Sequence, residues 1–140
     1  MNIERIKETL IKHEGLKLDM YKCSAGVWTI GVGHNLEDKG ISKRVAEIML
    51  AEDIGDSLDD LERNIAYFYD LPEAAQEALV NLAFNMGIPR LMQFKKTLAY
   101  LRSGDYKKAA DELLDSRYAS QVGYRALEVA QMIRSCEDAE

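Results

Sequence analysis

Cysteine and histidine are scarce: the 140 residues hold two of each. Cys23 and Cys136 cannot build a disulfide framework. There is no C-x-x-C pair, and His13 and His34 are far apart, so no zinc-ligand spacing exists; neither a metal nor any other cofactor is expected. No apolar run approaches the ~20 residues that a membrane-spanning helix needs, so membrane insertion is not expected. The N-terminal stretch MNIERIKETLIKHEG carries charge throughout and lacks the apolar core of a signal peptide, which makes synthesis in a cytoplasm the expectation. A basic excess is missing too. Eighteen Lys and Arg stand against 24 Asp and Glu, for a net charge of −6, and this argues against a nucleic-acid partner.

What is present is ordinary globular composition, 47 % apolar and 30 % charged, which excludes disorder and collagen-like repeats. A chain of this length is expected to form one domain, 1–140. Ile3, Ile6, Leu10 and Ile11 form a 3.6-period stripe, predicting a helix over 3–13 with Asn2 as its N-cap and Gly15 as its stop. Lys17 to Asn35 changes character: β-branched and aromatic residues are punctuated by Gly26, Gly31 and Gly33. Ser24-Ala25-Gly26 reads as a hairpin turn, so a small antiparallel sheet is predicted, too small to stand alone. From Ser42 onward the pattern is helical. Ser42 caps a long helix with Val45, Ile48, Met49, Ile54, Leu58, Leu61 and Ile65 as its apolar positions. A second helix starts at Leu71-Pro72, with Pro72 in its first turn and Ala75, Leu79, Leu82, Ala83 and Met86 as its buried stripe. Further helices are expected at Leu91–Arg102, at Tyr106–Leu114 capped by Asp105, and at about Tyr124–Ser135. Strands segregated near the N-terminus, followed by helices, make this an α+β chain.

Taken one at a time, the candidate functional residues leave two readings open. Glu14 at a helix end is either a solvated glutamate or a proton donor. Thr29 suits a strand by propensity alone. Cys23 before the turn can be a small buried thiol, and His34 a hydrogen-bonded structural histidine. Gly31-x-Gly33 is not a nucleotide loop, because no strand-to-helix turn follows and a third glycine is lacking.

Their spacing is more specific. The run Glu14-Gly-Leu-Lys-Leu-Asp-Met-Tyr21-Lys-Cys-Ser-Ala-Gly26-Val-Trp-Thr29-Ile-Gly31-Val-Gly33-His34 resembles the N-terminal signature of the phage lysozymes of glycoside hydrolase family 24. A second block, Asn81-Leu-Ala-Phe84-Asn85-Met86-Gly87, resembles the end of that family's central helix. Phe94, Ala109-Ala110, Ser116-Arg117-Tyr118, Gln121 and Arg125-Ala126 follow its C-terminal order. The resemblance implies a lysozyme-like fold: a β-containing lobe at about 14–45, a helical lobe made of 1–13 and about 66–140, and a connecting helix at about 42–66. It implies an endolysin muramidase that hydrolyses the β-1,4 bond between N-acetylmuramic acid and N-acetylglucosamine in bacterial peptidoglycan, with inversion, for host-cell lysis. Glu14 is then the general acid, while the residue two after Tyr21, together with Thr29, holds water on the opposite sugar face.

The family's aspartate at that second position is Cys23 here. Asp19 is the nearest acid, offset by four residues, roughly 13 Å along a strand. The resemblance further assigns Phe84, Asn85 and Arg117 to glycan and stem-peptide contacts and Arg125 to orienting Glu14. It makes His34 a structural residue with Asp53 as its acidic partner. Asn35 stands where the family has an apolar contact. The implied partner is the glycan strand of peptidoglycan, met by a monomer that is made in the host cytoplasm and released through a holin to act in the periplasm. Loss of the second carboxylate keeps two alternatives in view: a lytic transglycosylase, which needs a single acid, and a catalytically inactive wall-binding relative.

Overall fold

Asn2 starts the first helix, its side chain accepting the Arg5 N–H at 3.0 Å, which satisfies one of the donors that a helix start leaves open. In the computed structural model, which describes residues 1–138, helix α1 spans Ile3–Glu14. Gly15 stops it as expected, donating to the Ile11 carbonyl at 2.8 Å. The chain divides into two bodies, Met1–Ile48 and Met49–Glu140.

In the first body, strands β1 (Lys17–Lys22), β2 (Trp28–Gly31) and β3 (His34–Asn35) form an antiparallel sheet in the order β1-β2-β3. The β1-β2 hairpin closes through the predicted turn, with Gly26 N–H donating to the Cys23 carbonyl at 2.8 Å and Cys23 N–H to Val27 at 3.0 Å. Thr29 sits on the central strand, opposite Tyr21 on one side and Asn35 on the other. A register irregularity falls between Lys17 and Tyr21, so Asp19 lies in the one distorted stretch of β1. Short helix α2 (Leu36–Lys39) was not apparent in the hydrophobic pattern. Its signal is Asn35, whose side chain accepts the Asp38 N–H at 3.0 Å.

Helix α3 (Lys43–Asn64) begins where Ser42 Oγ accepts the Val45 N–H at 3.2 Å. Its predicted apolar stripe is buried only at the C-terminal end: Leu61 and Ile65 are buried, whereas Val45, Ile48, Met49 and Ile54 are exposed. The four apolar residues of α1 are likewise exposed. Periodicity fixes which face of a helix is apolar; burial needs a neighbour to cover that face.

In the second body, helices α4 (Glu73–Met86), α5 (Ile88–Leu91), α6 (Lys95–Ser103), α7 (Tyr106–Leu114), α8 (Arg117–Val122) and α9 (Tyr124–Arg134) enclose the apolar core. Helix α9 packs on α7 and α4, and α6 packs on α7. Pro72 precedes α4 as its cap residue rather than occupying its first turn. The helix predicted at Leu91–Arg102 starts later: Leu91 ends the short helix α5, which Gly87 and Pro89 begin, and α6 starts at Lys95. Asp105 caps α7 as predicted, accepting the Lys108 N–H at 3.2 Å. Among the described residues no helix is long and apolar enough to cross a membrane.

One polar atom in this core is unsatisfied. Tyr118, 1 % exposed, packs edge-on against Phe94 at 6.3 Å, and its hydroxyl has no hydrogen-bond partner among the described residues. Burial pushes its pKa up, against the pull of Arg125 and Arg90. An unmet buried hydroxyl costs roughly 1–3 kcal/mol. Tyr118→Phe is therefore expected to leave thermal stability unchanged or raise Tm by about 2–4 °C. A drop of that size in a melting curve would show that the hydroxyl is bonded after all, through a buried water.

Candidate active site

The decisive geometry in the first body is a close approach. Gly33 follows β2 with φ of +61°, a conformation that L side chains rarely adopt. A Cβ built on it would lie 2.8 Å from Glu14 Oε2 and 3.1 Å from the carboxyl carbon. The Glu14 side chain, leaving the last turn of α1, thus lies across the bare backbone of the β2-β3 loop. Sequence reasoning had set Gly33 aside with the rejected nucleotide loop. The signal that could have found it is a glycine one residue before His34 in a chain that needs positive φ there.

Cys23 and Thr29 meet at the other end of β2. Thr29 is only 4 % exposed. Its hydroxyl donates to the Val27 carbonyl at 2.8 Å, the same carbonyl that accepts the Cys23 N–H. The half-buried Cys23 thiol has its pKa lowered by backbone hydrogen bonds from Val27 and Ala25 and by a side-chain hydrogen bond from Thr29, with partial burial opposing them. Thr29 therefore has one hydrogen and two acceptors to serve, the Val27 carbonyl and the Cys23 sulfur. Its oxygen lone pairs remain able to accept from a third group. Lys22, next to Cys23, lies over the Trp28 ring at 5.1 Å.

His34 is hydrogen-bonded within the first body. Its Nε2 lies 2.6 Å from the Gly40 carbonyl, and since a carbonyl only accepts, this nitrogen carries the proton. The bond ties β3 to the residue that ends α2. Asn35, which stands where an apolar contact was expected, is engaged as the α2 cap and donates to Asp38 Oδ2 at 2.9 Å.

The remaining predicted residues belong to the second body. Asp53 is exposed on α3. Arg125 on α9 donates from Nε to Asn81 Oδ1 at 2.9 Å and from a terminal nitrogen to the Asn81 carbonyl at 3.3 Å. Arg125, Asn81 and Phe84 line one cavity of about 240 Å³, with Leu50, Ile54, Glu77 and Val80. Phe84 is 44 % exposed, so its ring is surface rather than core, whereas Met86 packs against the core. Asn85 on α4 and Arg117 at the start of α8 are exposed, and each is open to a ligand.

Comparison with known proteins finds lysozymes and endolysins. The family model described as phage lysozyme matches residues 11–134. An endolysin of Acyrthosiphon pisum secondary endosymbiont phage 1 is 35 % identical over 130 residues, covering 89 % of this chain and 86 % of its own. An endolysin of Bacillus phage B103 is 34 % identical over 121 residues, covering 81 % of this chain and 45 % of its own. A probable T4-type lysozyme of Dictyostelium discoideum is 25 % identical over 162 residues, with 95 % of each chain covered.

Two outcomes follow from this geometry. Gly33→Ala is expected to displace the Glu14 carboxyl, because backbone and a carboxyl oxygen cannot share the 2.8 Å that the new methyl would claim. Lytic activity should fall at least tenfold, with a stability loss of about 1–2 kcal/mol from the left-handed backbone; unchanged activity in a turbidity assay would show that the approach does not matter. For Cys23, alkylation by iodoacetamide should reach half its maximal rate at a pH below the ~8.5 of an ordinary thiol, and that midpoint should rise when the chain is unfolded in urea. A native midpoint at or above the unfolded one would contradict the hydrogen bonding described.

Proposed function

This chain belongs to the phage lysozyme family and is a glycoside hydrolase of the cell-wall lysozyme type; on that premise we propose that it is an endolysin muramidase. It cuts the β-1,4 bond between N-acetylmuramic acid and N-acetylglucosamine and inverts the configuration at the cleaved carbon. The observation that carries the proposal is the placement of Glu14 against Gly33 together with the Cys23–Thr29 pair on one small sheet. Glu14 delivers its proton to the leaving glycosidic oxygen. The Thr29 oxygen and the Cys23 sulfur hold a water, whose oxygen attacks the anomeric carbon as the C–O bond breaks. The lowered pKa of Cys23 favours a sulfur able to accept the proton that the water releases. A covalent route through sulfur would instead form a thioglycoside and give retention. Phe84, Asn85 and Arg117 supply glycan and stem-peptide contacts. The protein works as a monomer, is made in the host cytoplasm and reaches the wall in the periplasm after release through a holin.

One observation favours a second reading. With a thiol in place of a second carboxylate, Glu14 is left as the only acid at the signature's catalytic positions, and a lytic transglycosylase needs only one. There the substrate's own C6 hydroxyl displaces the leaving group. Mass spectrometry of digested peptidoglycan separates the two: free reducing ends mean hydrolysis, and 1,6-anhydro-muramic ends mean transglycosylation. Under either chemistry Glu14→Gln keeps the shape and removes the proton, so turnover should fall by roughly 10²–10⁴-fold with the melting temperature little changed. Retention of more than about a tenth of the wild-type rate would remove Glu14 from the acid role, by the same magnitude argument.

A further inference from the structure

In the second body, α6 and the turn after α3 line another, open cavity of about 600 Å³, within the ~300–1,000 Å³ of ligand sites. Ile65, Met92 and Leu98 give it apolar walls. Tyr67 forms a fixed side, its hydroxyl donating to the Leu98 carbonyl at 3.0 Å. Two cations stand on the rim, Lys95 and Arg102. They are seven residues apart on α6 and so share a face, separated by about 10 Å along the axis. Arg102 is held over the Tyr67 ring at 5.6 Å. Neither cation makes an ion pair among the described residues, and no carboxylate lines the cavity.

That last feature runs against the composition, since acids outnumber bases by 24 to 18. It also sets the cavity apart from its neighbours on this body. The cleft that shares Lys95 contains Glu112 and Asp115, and the one beneath α4 contains Glu73 and Glu77. The rim is polar at both ends. Asn64 donates its amide to the Asp60 carbonyl at 2.8 Å, which leaves its side-chain oxygen to accept. Ser103 donates to Tyr100 at 3.1 Å, which leaves its lone pairs open. Acceptors on the rim, apolar walls and two cations about 10 Å apart match an extended peptide: N–H groups to donate, small apolar side chains to bury, and carboxylates roughly 7–10 Å apart, a span reached over two to three residues or between two acidic residues joined through a side-chain carboxyl. A lipid tail would have no use for the acceptors.

We propose that this cavity binds a short acidic peptide, and that in the wall its occupant is a stem peptide of peptidoglycan, so that the enzyme holds its polymeric substrate through residues other than Glu14, Cys23 and Thr29. The identity of the occupant rests on the peptidoglycan reading above; the acidic-peptide chemistry rests on the cavity alone.

Backbone amide chemical shifts of the whole protein, followed during titration with the tripeptide L-alanyl-γ-D-glutamyl-meso-diaminopimelate, test this. Residues 64–67 and 95–103 should shift saturably. The same tripeptide with its carboxylates amidated should bind at least tenfold more weakly, a comparison made on wild-type protein that needs no variant to fold. Lys95→Gln with Arg102→Gln should produce a similar loss at unchanged Tm, and inorganic phosphate should not displace the peptide at equal concentration. Shifts confined to other residues, equal binding of the amidated peptide, or full displacement by phosphate, which would mark a general anion patch, would each overturn the proposal. Hydrolysis of a peptide-free glycan strand reports on the muramidase reading independently. Its absence with peptide binding intact would remove that reading and leave this one standing.

Discussion

The position of one carboxyl depends on the absence of one carbon atom. Glu14 lies against Gly33 because no Cβ fills the 2.8 Å between them, and Gly33 reaches that place only in a backbone conformation that side chains disfavour. Everything else in the first body serves the two ends of this approach. Asn2 and Gly15 fix where α1 starts and stops, and so the turn from which Glu14 projects. The hairpin register fixes β2, and with it the loop that carries Gly33. His34 then holds the following residues through Gly40. In the proposed reaction Glu14 is the general acid, a role that requires it to be held at its target; a helix end and a glycine loop would supply that holding.

The same economy applies at Cys23. A thiol is a poor substitute for an aspartate in charge, since an isolated cysteine is mostly neutral at pH 7. The tight turn from Cys23 to Gly26 partly corrects this by aiming backbone N–H groups at the sulfur, and such bonds stabilise the thiolate. The Thr29 hydroxyl shares its single hydrogen between the sulfur and a carbonyl. The pair is thus a small polar unit built by the hairpin itself, and it explains how a sheet of three short strands can matter chemically.

Much of this was legible in the sequence, for identifiable reasons. Capping residues are local, so Asn2, Ser42 and Asp105 marked their helices correctly. The hairpin turn and the α4 core stripe of Ala75, Leu79, Leu82 and Ala83 followed from short-range pattern. What sequence could not show is what covers a face. The stripes of α1 and of most of α3 look like core residues and are exposed. Phe84 and Met86, two apolar residues in one helical turn, divide into a surface ring and a core contact. The break between α5 and α6 was hidden because Leu91 and Leu98 keep a helical apolar spacing that runs straight across it. Gly33 was seen as a residue but not as a contact, since a close approach between positions 14 and 33 has no local signature.

In the proposed mechanism Cys23 and Thr29 present water to the sugar rather than attacking it themselves. Proton NMR of the first product formed from a soluble peptidoglycan oligomer, read before the anomers interconvert, tests this most directly. Delivery of water opposite the leaving group predicts that the new reducing end appears first as the α-anomer. First appearance of the β-anomer, accompanied by a glycosyl adduct on Cys23 in the intact-protein mass, would contradict the claim and make the cysteine a nucleophile.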